Sequence, residues 1–163
     1  MSRQNHETEY VIRRMQKDDL PQVLAIEDAC FSEPWSYQVY EEELAREGDG
    51  IWLFAAVREN PSQDKILGTI SLMRMGDDGE IGNVAVLPSF RRRGIGTKLL
   101  SYTMTYGEEV LSMEGFTLEV RAGNEEAIRL YSRAGFKKEG VRPSFYQDPV
   151  EDAWIMWRRK EGV

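Results

Sequence analysis

Residues 84–97 read Val-Ala-Val-Leu-Pro-Ser-Phe-Arg-Arg-Arg-Gly-Ile-Gly-Thr, and this stretch constrains the whole chain. Ile81, Val84, Ala85, Val86 and Leu87 form an apolar run rich in β-branched residues, which predicts a buried strand. Pro88 has no N–H to give a sheet and fixes its own φ, so the strand should end there. Arg91, Arg92 and Arg93 follow, then Gly94 and Gly96, and Thr97-Lys98-Leu99-Leu100 opens a long helix. The first N–H groups of a helix have no acceptor within it and lie at the positive end of its dipole. Glycines let the backbone approach a ligand because no Cβ intervenes. A strand, a basic glycine turn and a helix N-terminus together predict an anion site and a phosphate-bearing ligand.

Two familiar phosphate loops do not fit. A P-loop needs Gly-x-x-x-x-Gly-Lys-Ser/Thr, whereas these glycines are two apart. A dinucleotide fingerprint needs a third glycine where Leu99 stands. The remaining pattern, Arg91-x-x-Gly94-x-Gly96, resembles the Gln/Arg-x-x-Gly-x-Gly/Ala pyrophosphate loop of the GCN5-related N-acetyltransferases (GNAT), which bind acetyl-coenzyme A.

A chain of 163 residues suits one domain with a sizeable core, and 41% hydrophobic with 30% charged residues is ordinary for a globular protein. No apolar run of roughly 18 residues is present, so no transmembrane helix is expected. The first residues are polar, without the hydrophobic core of a signal segment, and a cytoplasmic protein is expected. The net charge of −7 argues against general nucleic-acid binding and suits a basic polypeptide partner. Cys30 is the one cysteine and His6 the one histidine, so neither a disulfide nor a zinc centre is expected. Cys30 itself reads as a small buried hydrophobe.

The chain then falls into order. Residues 10–14 alternate as a strand. A helix follows, capped by Asp18 or Asp19, with Pro21 in its first turn and Leu20, Val23, Leu24, Ile26 and Phe31 on its apolar face. Pro34 breaks it, and Ser36 caps a second helix whose acidic run, 41–47, reads as a solvated face. Residues 51–58 and 66–75 form a hairpin, and 76–79 turn into the central strand. The helix after the glycine loop should run to about residue 113, with Val110 among its inner residues and Gly107 packed closely. Residues 116–120 form a strand parallel to the central one. Asn124 caps the next helix, Gly135 ends it, 141–149 read as an irregular aromatic loop, and 153–158 as a last strand.

Acetylation of an amine requires removal of a proton, a donor for the developing oxyanion, and a proton for the departing thiolate. Glu119 lies near the C-terminal end of the parallel strand, the edge where α/β sheets bind ligands. Position alone leaves it open whether Glu119 is a base or a surface acid paired to an arginine. Tyr131 is likewise either a core tyrosine or a proton donor, and the Val86 N–H is a candidate oxyanion donor.

The segment Leu118-Glu-Val-Arg-Ala-Gly-Asn-Glu-Glu-Ala-Ile-Arg-Leu-Tyr-Ser-Arg-Ala-Gly-Phe136 resembles the Leu-Glu-Val-Arg-x-x-Asn-x-x-Ala-x-x-Leu-Tyr-x-x-x-Gly-Phe segment of the RimI family. Phe31-Ser-Glu-Pro-Trp-Ser36, Tyr146, Glu151-Asp152-Ala153 and Met156 match it too. Those bacterial enzymes acetylate the α-amine of ribosomal protein S18. The resemblance implies that Glu119 is the proton acceptor and Tyr131 the proton donor. It implies that Val84, Ala85 and Val86 bind the pantetheine arm, that Arg91, Arg92, Arg93, Gly94, Ile95, Gly96 and Thr97 form the pyrophosphate loop, and that Asn124 is a further coenzyme contact. Phe31, Trp35 and Tyr146 then flank the protein substrate, which enters between 31–36 and 141–149. Gly123 departs from the family's usual serine, which implies a looser turn there.

The implied fold is α/β, a mixed central sheet of about seven strands splayed between two parallel strands and flanked by helices. It would occupy residues 10–163 after a flexible tail, 1–9. Acetyl-coenzyme A is the expected cosubstrate, with no metal, and attack on the thioester is direct. Expected partners are acetyl-coenzyme A and the S18 N-terminus, with no nucleic acid or membrane. Acetylation of lysine, a polyamine or an antibiotic, and coenzyme binding without turnover, stay open as alternatives.

Overall fold

The computed structural model describes residues 9–82 and 84–160. The expected tail, apart from exposed Glu9, lies outside the described residues. The first hairpin unit comprises β1 (Val11–Arg14), β2 (Ile51–Arg58) and β3 (Lys65–Met75), with α1 (Leu20–Cys30) and α2 (Tyr37–Ala45) between β1 and β2. Then come β4 (Asp78–Ile81), β5 (Ala85–Val86), α3 (Ile95–Glu109), β6 (Phe116–Arg121), α4 (Glu125–Arg133), β7 (Lys137–Tyr146) and β8 (Glu151–Arg158). The sheet order is β1-β2-β3-β4-β6-β8-β7, with β5 paired to β3 off this path. Among the described residues no helix is long and apolar enough to cross a membrane.

Alternation along β2 divides the core between two faces. Trp52, Phe54 and Ala56 pack with α3 and α4, while Ile51, Leu53, Ala55 and Val57 pack with α1 and α2. Each helix thus buries one apolar stripe against one side of the sheet.

The central strand is not continuous, contrary to the run predicted from Ile81 to Leu87. Antiparallel β4 pairs with the far half of β3 and in parallel with β6, where Gly79 faces Phe116 and Glu80 faces Thr117. Beyond Ile81 the chain leaves β6, and β5 pairs with β3 alone. The sheet therefore opens between β5 and β6, and both faces of the molecule reach that gap. The implied splay between two parallel strands is present, but apolarity marks burial and not pairing, so the residue at which they part could not be read from the run itself.

Helix α1 has Pro21 in its first turn, but no side chain caps its N-terminus. The Asp19 carboxylate instead accepts from both Arg13 guanidinium nitrogens, at 2.7 and 2.9 Å, and from the Gln16 N–H. Ser36 caps α2 as expected, and Asn124 caps α4. Helix α3 ends at Glu109, short of residue 113, and Val110 is 60% exposed where an inner residue was predicted. Close packing at Gly107 does hold. A Cβ there would lie 2.7 Å from Cε1 of Phe116, a ring that is fully buried. Gly107→Ala is expected to destabilise the fold by about 1–2 kcal/mol, because overpacking outweighs the gain in helix propensity. Urea unfolding of the two proteins checks this.

Residues 141–149 also differ from expectation. Most of them continue β7, an edge strand, and only 147–150 form the turn to β8. Pro143 lies within this strand, and an edge strand tolerates a missing donor. Register shifts between Lys138 and Gly140 and between Arg142 and Tyr146 broke the alternation that would have revealed it.

Candidate active site

On one side of the gap lies the N-terminus of α3. Its N-cap is Gly94 in the left-handed region, φ 80°, and no side chain caps the helix. A Cβ at Gly94 would meet nothing within 4 Å, so the position needs glycine for its backbone angle, not for space. The first N–H groups of α3 are thus open to an anion. Arg91, Arg92, Arg93 and Thr97 are exposed around this turn, and Ile95 is buried beneath it. Arg58, Lys65 and Arg93 all stack on the ring of Phe90, 4.9–5.3 Å from its centre. Arg58 and Lys65 add positive charge that the sequence pattern did not show, since they come from β2 and β3. An otherwise acidic chain therefore collects cations beside the glycine turn.

Strand β5 borders the gap. The Leu87 N–H donates to the Leu67 carbonyl at 2.8 Å, and Val86 faces Gly68 in the register. In an antiparallel ladder the residue between bonded pairs turns both polar groups the other way. The Val86 N–H and C=O accordingly point away from β3, towards the gap. The carbonyl accepts from Arg91 Nε at 3.4 Å and from Cys30 Sγ at 3.5 Å. Arg91 also donates to that sulfur at 3.3 Å, so Cys30 is a half-buried polar contact under the loop, more than a buried hydrophobe.

Tyr131 reaches the same place from α4. Its hydroxyl accepts from the Val84 N–H, and its ring packs edge-on against Phe136. Burial pushes its pKa up to about 12, opposed by the Val84 hydrogen bond and reinforced by Tyr146. It therefore stays protonated across the physiological range. The turn after Tyr131 is closed by the Phe136 N–H on the Tyr131 carbonyl and the Gly135 N–H on the Ser132 carbonyl.

The opposite face carries the carboxylates. Leu118 and Val120 join the core under α3 and α4, so Glu119, between them, projects to the α1–α2 side. There it pairs with Arg142 of β7 at 2.8 Å. Glu80, across from Thr117 on β4, shares that face. Burial, and then the charge of Glu119, raise its carboxyl above the usual range, opposed by Arg142. Tyr146 is likewise pushed up to about 12, by burial first and then by Glu119.

Arg121 ties the walls of this face together. It donates to Ser32 Oγ at 3.0 Å, to the carbonyls of Gln147 and Pro149, and to Glu151, and it stacks on Tyr146. Glu151 in turn accepts from the Gly123 N–H at 2.7 Å. A Cβ at 123 would lie 2.6 Å from that oxygen, so glycine fits a tied turn, not the looser one expected. Asn124 spends its side-chain oxygen on the Ala127 N–H at 3.2 Å.

Phe31, Trp35 and Tyr146 all lie around this face. Phe31 and Trp35 line a cleft of about 130 Å³ with Glu27, Tyr40, Ser71 and Gly82. Glu27 is buried and accepts from the Tyr40 hydroxyl and the Trp35 N–H, which pins the 31–36 turn. Burial raises its carboxyl, against those two bonds. Such a group adds stability at low pH and loses it as pH rises from the ordinary carboxyl value through its folded value. Glu27→Ala should cost about 1–3 kcal/mol through the unpaired donors, and more at pH 4 than at pH 8. Urea midpoints at the two pH values check it. Sequence reasoning missed the roles of Glu27, Glu80, Arg121 and Arg142: Arg121 and Arg142 meet partners distant in the chain, and Glu80 reaches this face only through the pairing of β4 with β6.

The sheet thus opens between two strands, with an uncapped helix N-terminus flanked by arginines on one side and carboxylates on the other. The sequence model of the Acetyltransferase (GNAT) family matches residues 20–136, and the chain belongs to that family. The N-alpha-acetyltransferase of Saccharolobus solfataricus is 31% identical over 158 residues, covering 92% of this chain and 93% of the relative. The [ribosomal protein bS18]-alanine N-acetyltransferase of Escherichia coli is 29% identical over 147 residues, covering 89% and 94%. The crystal structure of the Escherichia coli ribosomal-protein-S18-alanine N-acetyltransferase superposes with a TM-score of 0.78, at 28% identity, over 95% of this chain and 99% of that one. The protein is thus an N-acetyltransferase of GNAT type, and GNAT acetyltransferases use acetyl-coenzyme A.

Proposed function

We propose that the chain moves acetyl from acetyl-coenzyme A to the α-amine of a protein N-terminus, with ribosomal protein S18 as the acceptor. One observation carries this: an uncapped helix N-terminus flanked by arginines and a carboxylate face border the same opening in the sheet from opposite sides. The 84–86 backbone would hold the pantetheine arm, the 91–97 turn the diphosphate, and Asn124 would border the coenzyme. The open N–H groups of α3 fit that group. Phe31, Trp35 and Tyr146 would flank the incoming peptide.

The residues then divide the work. Glu119 takes the proton of the ammonium, whose pKa of about 7.7–8.0 asks little of a carboxylate. The freed nitrogen attacks the thioester carbonyl to form a tetrahedral adduct, and the C–S bond breaks as the carbonyl re-forms. The second proton lost by nitrogen replaces the one that Tyr131 gives to sulfur. The Val86 N–H faces the charge that develops on oxygen. Tyr131, still protonated, gives its proton to the departing sulfur. The S18 assignment is supported by the bacterial relative's name and by the shared 31–36 and 118–136 patterns.

Release of coenzyme A is to be measured with three peptides: the S18 N-terminus, the same peptide with its α-amine blocked, and an unrelated N-terminus carrying a lysine. Turnover with the first alone is expected. Equal turnover with the blocked peptide would move the acceptor to a lysine side chain and overturn the reading.

A further inference from the structure

Two cations face each other at the open end of the β2–β3 hairpin. Arg58 closes β2, Lys65 opens β3, and they stand directly opposite in the antiparallel register. Ala56 and Leu67 of these strands pack under α3, while Val57 and Ile66 pack on the other side of the sheet. Alternation therefore turns both cations to the α3 side. Like charges directly opposite on paired strands repel. Both side chains are half-buried over the Phe90 ring, and Arg93 is a third cation on it, all 4.9–5.3 Å from its centre. Among the described residues no carboxylate pairs with Arg58 or Lys65. Asp64, the neighbour of Lys65, pairs with Arg13 at 3.5 Å, and Glu59 is exposed. The electron-rich ring offsets part of the repulsion but brings no charge.

We propose that Arg58 and Lys65 hold a phosphate monoester, with the ribose phosphate of coenzyme A as its source. This rests on the reading of the 91–97 turn as the diphosphate site. Phe90 directly precedes the three arginines of that turn, so the two anion sites adjoin in the chain. A phosphate monoester carries close to two negative charges near pH 7, its second pKa being about 6. Two cations without a carboxylate match that charge. The planar guanidinium of Arg58 suits two phosphate oxygens at once, and the Lys65 ammonium adds a point charge. The empty protein bears the repulsion of the pair, and the bound anion relieves it. Arg58 and Lys65 thus select the complete coenzyme and take no part in the transfer step.

The test is calorimetric binding of coenzyme A and dephospho-coenzyme A, which lacks only the monoester, to the wild type and to the double variant Arg58→Gln, Lys65→Gln. The wild type is expected to prefer coenzyme A by about 10- to 100-fold, the range for charge-assisted hydrogen bonds. The double variant should lose that preference and bind dephospho-coenzyme A within about two-fold of the wild type. Its urea midpoint should not fall, because a repelling pair has been removed, whereas a merely structural role would lower it. Equal affinity of the wild type for the two coenzymes, or a preference that survives in the variant, would overturn the coenzyme as the source. Inorganic phosphate distinguishes a separate ligand: a midpoint that it raises in the wild type alone would uphold the site and give it to a free phosphate. No response of either kind would overturn the site itself. Pantetheine, which lacks the diphosphate, tests the turn. If it binds as tightly as dephospho-coenzyme A, the diphosphate reading falls, whereas the role of Arg58 and Lys65 falls on the monoester contrast alone.

Discussion

Glu119→Gln should lower the rate of acetyl transfer about 10²- to 10⁴-fold, the range for loss of a positioned proton acceptor, while acetyl-coenzyme A binds as in the wild type. Leu118 and Val120 are buried under α3 and α4, so the side chain between them projects to the other face. The helix N-terminus that would bind the diphosphate is therefore untouched by the change. Gln keeps the size of the side chain and loses its basicity. The pair with Arg142 also goes, but that arginine is more than half exposed, and such pairs contribute about 0–1 kcal/mol. The fold should survive, and the loss should fall on kcat. Stopped-flow detection of free thiol, with coenzyme binding measured by calorimetry, separates the two. Weakened coenzyme binding at unchanged kcat would assign Glu119 to the coenzyme side.

Phe116→Ala should destabilise the protein by about 3–5 kcal/mol, the cost of emptying a fully buried aromatic site. Phe116 has no exposed surface and lies against both Gly107 and Gly79 at the start of β6. Its neighbours cannot close the cavity cheaply. Gly107 belongs to a helix and Gly79 to β4, which is held on both edges. A domain of this size has about 5–15 kcal/mol in total, so the loss is a large share. Phe116 also faces Gly79 in the short parallel register just before the sheet opens. Chemical denaturation should show a lower midpoint with an unchanged slope.

Much of this architecture was legible because local chemistry agreed with tertiary placement. The glycine turn, the caps at Ser36 and Asn124 and the close approach at Gly107 each rest on a residue type that few positions can use. Glu119 had two readings in the sequence, a base or an acid paired to arginine. The structure shows the pairing, and the two are compatible because one carboxylate has two oxygens. What could not be read depends on where strands separate and which distant residues meet. The break after Ile81 is invisible in an apolar run. β7 was hidden by its own register shifts and its exposure. Arg121 stood inside a recognised pattern, yet its hydrogen-bond partners lie 26 to 89 residues away in the chain, so its joining of the two walls emerges only from the fold.

The central claim is that two substrates meet through the gap between β5 and β6. A crystal structure with coenzyme A and an acceptor peptide tests it most directly. The diphosphate should lie on the N-terminus of α3, the sulfur near the Tyr131 hydroxyl, and the peptide's α-nitrogen on the Glu80–Glu119 face. A coenzyme bound away from the 91–97 turn, or a peptide nitrogen on the same side of the sheet as α3, would contradict it.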